Sequence, residues 1–397
     1  MNVRYTSLQK VLHVAMTLLL SALMGCNGGG DTDNSGENGN GLLVSSGPTQ
    51  KHRIIAVLGL MADVNFNLIT PSEEALAANT AKIASTLSTN ANLRAYLGDS
   101  WRVVWGPVLS NSPKKDKDTG AITYVTDNAM YVAKGQDATT GRDMYVVAVA
   151  GTNIVSKKGW LVEDFNVFEK VDWPTPGSGQ ISAGTHAGLA ILMAMKDTVT
   201  GKTLTEFLGN LPKDAPVEVA STGHSLGGAL SPALALALIE WKEKNVFNHI
   251  TVSVYPLAGA TPGDAAFAAY AATKFGDRYF SVINRYDIVP NSWQRDMFER
   301  IPTLYRGAAF NNGAGFAFPS ELLGAYEAVR VAVQNKGYTR IAVDKEFVFS
   351  GTPNTYTPES PGGFFPEAGY QHINAYLTDG LSLPQPVIEA VLNLFKN

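Results

Sequence analysis

The sequence predicts an α/β domain with a mainly parallel central sheet and helices on both faces, and three observations carry that reading. Met144 to Ala150 is apolar without alternation, the pattern of a strand covered on both sides. Further β-rich stretches at Val217–Ala220, Thr251–Leu257 and Tyr279–Asn284 are separated by helix-forming segments. That alternation produces parallel strands joined by right-handed crossovers. Finally, Thr222-Gly223-His224-Ser225-Leu226-Gly227-Gly228-Ala229 sets a serine between glycines where an apolar run gives way to one rich in Ala and Leu.

From the N-terminus, residues 1–25 carry Arg4 and Lys10 ahead of an apolar run, Val11 to Gly25, too short to favour a lasting transmembrane helix. It reads as an export signal. The run ends in Leu23-Met24-Gly25-Cys26, which resembles the lipobox of bacterial lipoproteins, and that resemblance implies acylation of Cys26 as the first mature residue. Met24 is a less usual occupant of its position. Cys26 is the sole cysteine, so an intramolecular disulfide is excluded. Asn27, rather than Asp, resembles lipoproteins sent to an outer membrane; a plain secreted protein is the second reading. Residues 26–51 form a Gly-, Asn- and Ser-rich tether after the cysteine. Asp31 opens this stretch like a calcium loop, but Leu42 occupies the twelfth position in place of the bidentate Glu, so it reads as linker.

Residues 52–397 suit one catalytic domain. With 45% hydrophobic and 17% charged residues the chain is globular, and a net charge of −4 gives no reason to expect nucleic acid as a partner. No cofactor, metal or required protein partner is implied. Ile54 to Leu97 shows helical spacing, notably around Glu73 to Leu87, and no chemistry. Asn128–Ala133 and Asp143–Ala150 flank Gln136–Gly141, a hairpin pattern. Pro232 falls inside the helix expected after Ser225, where it should kink it.

The G-x-S-x-G spacing suits a nucleophile elbow, a strained strand-to-helix turn that needs small residues two positions either side of the serine; Gly223 and Gly227 supply them. A serine hydroxyl needs a base and a third group to orient that base. Of six histidines, His13 leaves with the signal, His52 borders the tether, and His224 should point away from Ser225. His249 precedes a strand, whereas sites in α/β folds lie at carboxyl ends. His186 and His372 remain, and His372 follows the acid, as the Ser…Asp…His order of α/β-hydrolases requires. Asp287 is expected as that acid, after the strand Tyr279–Asn284 and before Pro290. Asp264 and Asp277 compete as carboxylates in neighbouring turns.

Together these residues resemble the class 3 (fungal-type) lipase family over most of Met144 to Tyr376. The Gly-His-Ser-Leu-Gly-Gly-Ala elbow, an Asp-x-Val-Pro acid and a late His occur there in this order. Thr185-His186-x-Gly188, Ala260-Thr-Pro262-Gly-Asp264 and His372-x-x-x-Tyr376 match further segments, as does Trp160-x-x-x-Asp164. The resemblance implies an α/β-hydrolase with oxyanion donors at Thr152 and Leu226, and a structural His186. Ala150 replaces the family's usual arginine before Gly151-Thr152. By the same comparison Asn153–Gln180 corresponds to a lid; its own residues equally fit an amphipathic segment packed on the core. Ser320 to Lys336 has the spacing of an amphipathic helix, and residues 291–362 read as an insertion.

What this implies is an exported, membrane-anchored carboxylester lipase acting on acylglycerols or similar lipid esters. A phospholipase A1 or a short-chain esterase would use the same residues. A surface binding lipoprotein that has kept only the fold is the non-enzymatic alternative, disfavoured because it has no need of Ser225, Asp287 and His372 together.

Overall fold

The computed structural model describes residues 47–116, 119–137, 139–153, 166–307, 309–357 and 361–396. The signal segment, Cys26, the tether to residue 46, and Trp160 to Phe165 of the expected lid lie outside the described residues, as does Asp164. Among the described residues no helix is long and apolar enough to cross a membrane.

Helix α1 (Gln50–Met61) starts at a Thr49 cap, whose side-chain oxygen accepts the His52 amide while the His52 ring accepts the Thr49 amide. Two of the four donors that a helix start leaves unmatched are thereby satisfied. It is buried continuously from Ile54 to Met61, because the sheet lies on one side and the C-terminal helix packs on another. Three short helices follow, α2 (Glu73–Thr80), α3 (Lys82–Thr89) and α4 (Ala91–Leu97).

Among the described residues nine strands come next, interleaved with the remaining helices: β1 (Arg102–Lys115), β2 (Ile122–Gln136), β3 (Asp143–Val149), β4 (Lys170–Asp172), β5 (Gln180–Ser182), β6 (Val217–His224), β7 (Ile250–Leu257), β8 (Ser281–Asn284) and β9 (Glu346–Phe349). The helices are α5 (Ala183–Ala194), α6 (Leu204–Gly209), α7 (Leu226–Lys244), α8 (Ala265–Phe275), α9 (Arg295–Phe298), α10 (Leu323–Val333), α11 (Phe364–His372) and α12 (Gln385–Leu394).

Seven strands form the central sheet in the order β1-β2-β3-β6-β7-β8-β9. The first three pair antiparallel and the rest parallel. This is the α/β-hydrolase plan that the alternation of segments predicts. β3 shows why its sequence does not alternate: Met144, Val146 and Ala148 face the core containing α1, while Tyr145, Val147 and Val149 face the one containing α7. Both faces are dry, so both sets of side chains are apolar.

α7 runs unbroken through Pro232. The proline cannot donate to the Gly228 carbonyl four residues back, and the Ser231 hydroxyl gives that oxygen a long 3.5 Å bond instead.

The expected insertion 291–362 divides. Up to about Tyr338 it builds a third apolar cluster, rich in aromatics, in which Trp293, Phe298, Tyr305 and Phe310 pack with Phe364 and Ala368 of α11. Residues 346–349, in contrast, are the last strand of the central sheet, in register with 281–284. The helix expected over Ser320–Lys336 forms as one 3-10 turn at Ser320–Leu322 followed by α10. In the expected lid, the described part after residue 165 is the β4–β5 hairpin. Val167 and Trp173 are buried there in the cores, as an ordinary packed segment requires.

Candidate active site

The serine turn is built by sterics. Ser225 has φ 60° and ψ −122°, between the end of β6 and the first residue of α7. A non-glycine residue in that region carries about 1–3 kcal/mol of strain, which the surrounding structure must offset. The turn closes only because the backbones nearly touch. A Cβ on Gly223 would lie 2.5 Å from the Gly227 carbonyl carbon, and one on Gly227 or Gly228 would collide with the carbonyl oxygens of Val149 or Leu257. The Ser225 amide is taken by the Leu257 carbonyl at 3.1 Å, tying the turn to β7.

Into this geometry the fold brings a base and an acid. His372 Nε2 lies 2.9 Å from Ser225 Oγ, and His372 Nδ1 lies 2.8 Å from Asp287 Oδ2. Asp287 is fully buried and His372 is 7% exposed, so little water competes for these bonds. Asp287 follows β8, and its second carboxylate oxygen accepts the Val289 amide at 2.9 Å. The Asn291 side chain donates to its main-chain carbonyl at 2.6 Å. His372 is the last residue of α11, so the end of a helix sets its position.

Thr152 follows β3 at its carboxyl end and Leu226 begins α7, so both expected oxyanion donors flank the serine turn. The amide of the preceding Gly151 is already committed, to Asp63 Oδ1 at 2.6 Å. Leu226, as the first residue of a helix, has an N–H without an intrahelical acceptor.

The competitors serve elsewhere. Asp264 caps α8 through the Phe267 amide and pairs with Lys170 at 2.8 Å, and Asp277 sits in a 3-10 turn. His186 is exposed on α5, His249 lies just before β7, and His52 stacks on Phe280 at 3.8 Å. Burial, with help from Lys51, pushes the His52 pKa down to about 4. Among the described residues no group of three or more His, Cys, Asp or Glu side chains is arranged to hold a metal ion.

Sequence reasoning missed Asp63 and the group around Asn284. Asp63 lies in a 3-10 turn directly after α1, 6% exposed, in the segment expected to show no chemistry. One signal was available: an isolated carboxylate just after the apolar run Ile54–Met61 has to find a buried partner. Asn284, fully buried at the end of β8, donates through its side chain to the Gln371 carbonyl at 2.8 Å and to Gln371 Oε1 at 2.6 Å. Its amide donates to the Tyr376 hydroxyl at 2.9 Å. These bonds lock the acid-bearing and base-bearing segments together.

The fold is that of the α/β-hydrolases, and a serine, a histidine and an aspartate aligned at an elbow are the arrangement of a serine hydrolase. Residues 146–297, which contain Ser225 and Asp287 but not His372, match the model of the class 3 lipase family. A lipase of Rhizomucor miehei is 29% identical over 208 residues; the chain spans about half that relative's length, 52% of each. Among solved structures, M37 lipase is similar over 87% of this chain and 98% of its own, at 26% identity and a TM-score of 0.68.

Proposed function

We propose that the protein is a carboxylester lipase, exported and held at a membrane through acylated Cys26, that hydrolyses acylglycerols or similar lipid esters. The observation that carries the chemistry is the unbroken relay from Ser225 Oγ through His372 to Asp287, with separations of 2.9 and 2.8 Å. Support for lipid esters, as opposed to other acyl substrates, comes from the class 3 lipase match over residues 146–297.

In this mechanism His372 Nε2 takes the Ser225 proton as the serine oxygen attacks the ester carbonyl carbon. Asp287 holds the Nδ1–H tautomer and balances the imidazolium charge. Amides of Thr152 and Leu226 receive the oxyanion. Loss of one such donor typically costs about 2.7–4 kcal/mol of transition-state stabilisation. His372 returns its proton to the leaving alcohol, and an acyl-enzyme remains. Water, deprotonated by the same imidazole, then attacks the acyl carbon, the carboxylic acid leaves, and Ser225 recovers its proton.

The test is hydrolysis of p-nitrophenyl esters of graded chain length, emulsified triacylglycerol and phospholipid by purified residues 27–397. Strongest turnover on long-chain or emulsified triacylglycerol is the expected result. Preference for phospholipid or for short chains would shift the assignment to a phospholipase A1 or an esterase. No turnover of any ester by folded protein would leave a binding lipoprotein. Radiolabelled palmitate carried by the full chain and lost in Cys26→Ser is expected from the anchor.

A further inference from the structure

We propose that Asp63 is a positioning residue for this reaction: through one carboxylate it fixes both the main chain of the base and the strand end that presents the oxyanion donor. The inference rests on the Ser225–His372–Asp287 reading and adds to it a group from a different part of the chain.

The two oxygens of Asp63 face two different parts of the site. Oδ1 accepts the Gly151 amide at 2.6 Å, one residue before Thr152. Oδ2 lies 3.0 Å from Nδ1 of His224, the residue before the serine. The other ring nitrogen of His224 then reaches across to the His372 main-chain carbonyl at 2.8 Å. A continuous path of three hydrogen bonds therefore runs from the end of β3, through Asp63 and His224, to the residue that carries the base. Every group along it is at least nine-tenths buried or is main chain: Asp63 is 6% exposed, His224 3% and His372 7%.

The alignment that this path serves is demanding. Reacting atoms and oxyanion donors must hold to within a fraction of an ångström, and misplacement by about 1 Å can cost 10²-fold in rate. Ser225 is fixed by its own strained turn, whereas Thr152 and His372 come from segments 220 residues apart in sequence, and a restraint that ties the two segments must come from elsewhere in the fold. Asp63 supplies it.

Chemistry also explains why a carboxylate stands here. A backbone carbonyl only accepts, and an ionised carboxylate only accepts, so both ring nitrogens of His224 face acceptors. An asparagine at position 63 would offer its carbonyl oxygen to Gly151 and its NH₂ to Nδ1 of a neutral His224, whose Nε2–H still reaches His372. The geometry would survive with the charges removed. Alanine at the same place would leave the Gly151 amide and Nδ1 of His224 without partners.

The experiment compares wild type, Asp63→Asn, Asp63→Ala and His224→Ala, counting functional sites in each with a p-nitrophenyl phosphonate that titrates Ser225. The expected result is a 10- to 100-fold fall in kcat per titrated site for Asp63→Ala, with KM changed less than about 3-fold, and recovery to within about 5-fold of wild type in Asp63→Asn. A folded Asp63→Ala with wild-type kcat per titrated site, fewer sites but each fully active, would overturn the proposal, as would an Asp63→Asn as impaired as Asp63→Ala. Should Asp63→Ala not fold, His224→Ala carries the same test: reduced kcat per site supports the path, and full kcat removes it. Wild type that neither hydrolyses esters nor reacts with the phosphonate would instead defeat the underlying serine hydrolase reading.

Discussion

His372 Nδ1 stands 2.8 Å from Asp287 Oδ2 although the two are 85 positions apart in the chain. The intervening chain adds β9 beside β8 and then returns through α11, so the acid at the end of one strand and the base at the end of one helix meet over the sheet's carboxyl edge. A buried carboxylate in that place fixes the imidazole tautomer before any substrate arrives. Asp287→Asn should therefore keep the fold and lose kcat by about 10⁴-fold, the effect of the wrong tautomer, whereas Ser225→Ala or His372→Ala should lose about 10⁶-fold. Because the three act as one unit, Ser225→Ala/His372→Ala should be no slower than either single variant. Steady-state kinetics on a soluble ester, with circular dichroism for the fold, decides each point.

The strained serine turn gives a stability prediction that is independent of catalysis. In Gly227→Ala the new methyl group meets the Val149 carbonyl oxygen, which belongs to a central strand and cannot move away cheaply. Overpacking of this kind typically costs about 1–3 kcal/mol, and more where backbone meets backbone. The variant should melt well below wild type. Gly324→Ala, in α10, is the control for loss of a helical glycine without a clash, since no atom lies within 4 Å of the added Cβ there; a Gly227→Ala that melts no lower than this control would contradict the steric account.

Local sequence carried the serine turn because its requirements are local: the small residues, the strand and the helix all lie within a few positions of Ser225. The same holds for β3, whose two faces are apolar in the sequence and dry in the fold. β9 was not legible, since Glu346–Phe349 has only four residues, begins with a charge and becomes a strand only by pairing with β8. Chain order pointed to Asp287 and His372 as partners, but the bonds that hold their segments together join Asn284 to Gln371 and Tyr376, pairs that no spacing rule connects. Asp63 is the extreme case. Its two contacts are 88 and 161 residues away in sequence, so only the folded chain shows what it does.

Tyr376 tests the bracing around Asn284. Its hydroxyl accepts the Asn284 amide at 2.9 Å in a fully buried place, where burial and the nearby Asp287 hold its pKa well above the usual tyrosine range. Tyr376→Phe leaves a buried N–H without an acceptor, which costs about 1–3 kcal/mol. Urea denaturation should show a lower midpoint with an unchanged slope. A variant as stable as wild type would mean that Asn284 finds another partner.

The Asp63–His224 pair makes a prediction about pH. Burial is the largest influence on His224 and disfavours its charge, but the Asp63 hydrogen bond and charge, the His372 carbonyl and Asp287 together outweigh it, and the pKa is raised above the usual 6.5. The folded protein thus binds this proton more tightly than the unfolded chain does. The resulting stabilisation is fully present below about pH 6.5, the unfolded value, and is lost as pH rises through the higher folded value. Unfolding free energies measured by urea between pH 5 and 9 should therefore carry a downward contribution on the alkaline side. Asp63→Asn removes the charge that holds the proton, so the difference between wild type and Asp63→Asn should shrink steadily as pH rises. A difference that stays constant across that range, or grows with pH, would show that His224 is neutral beside Asp63 in the folded protein.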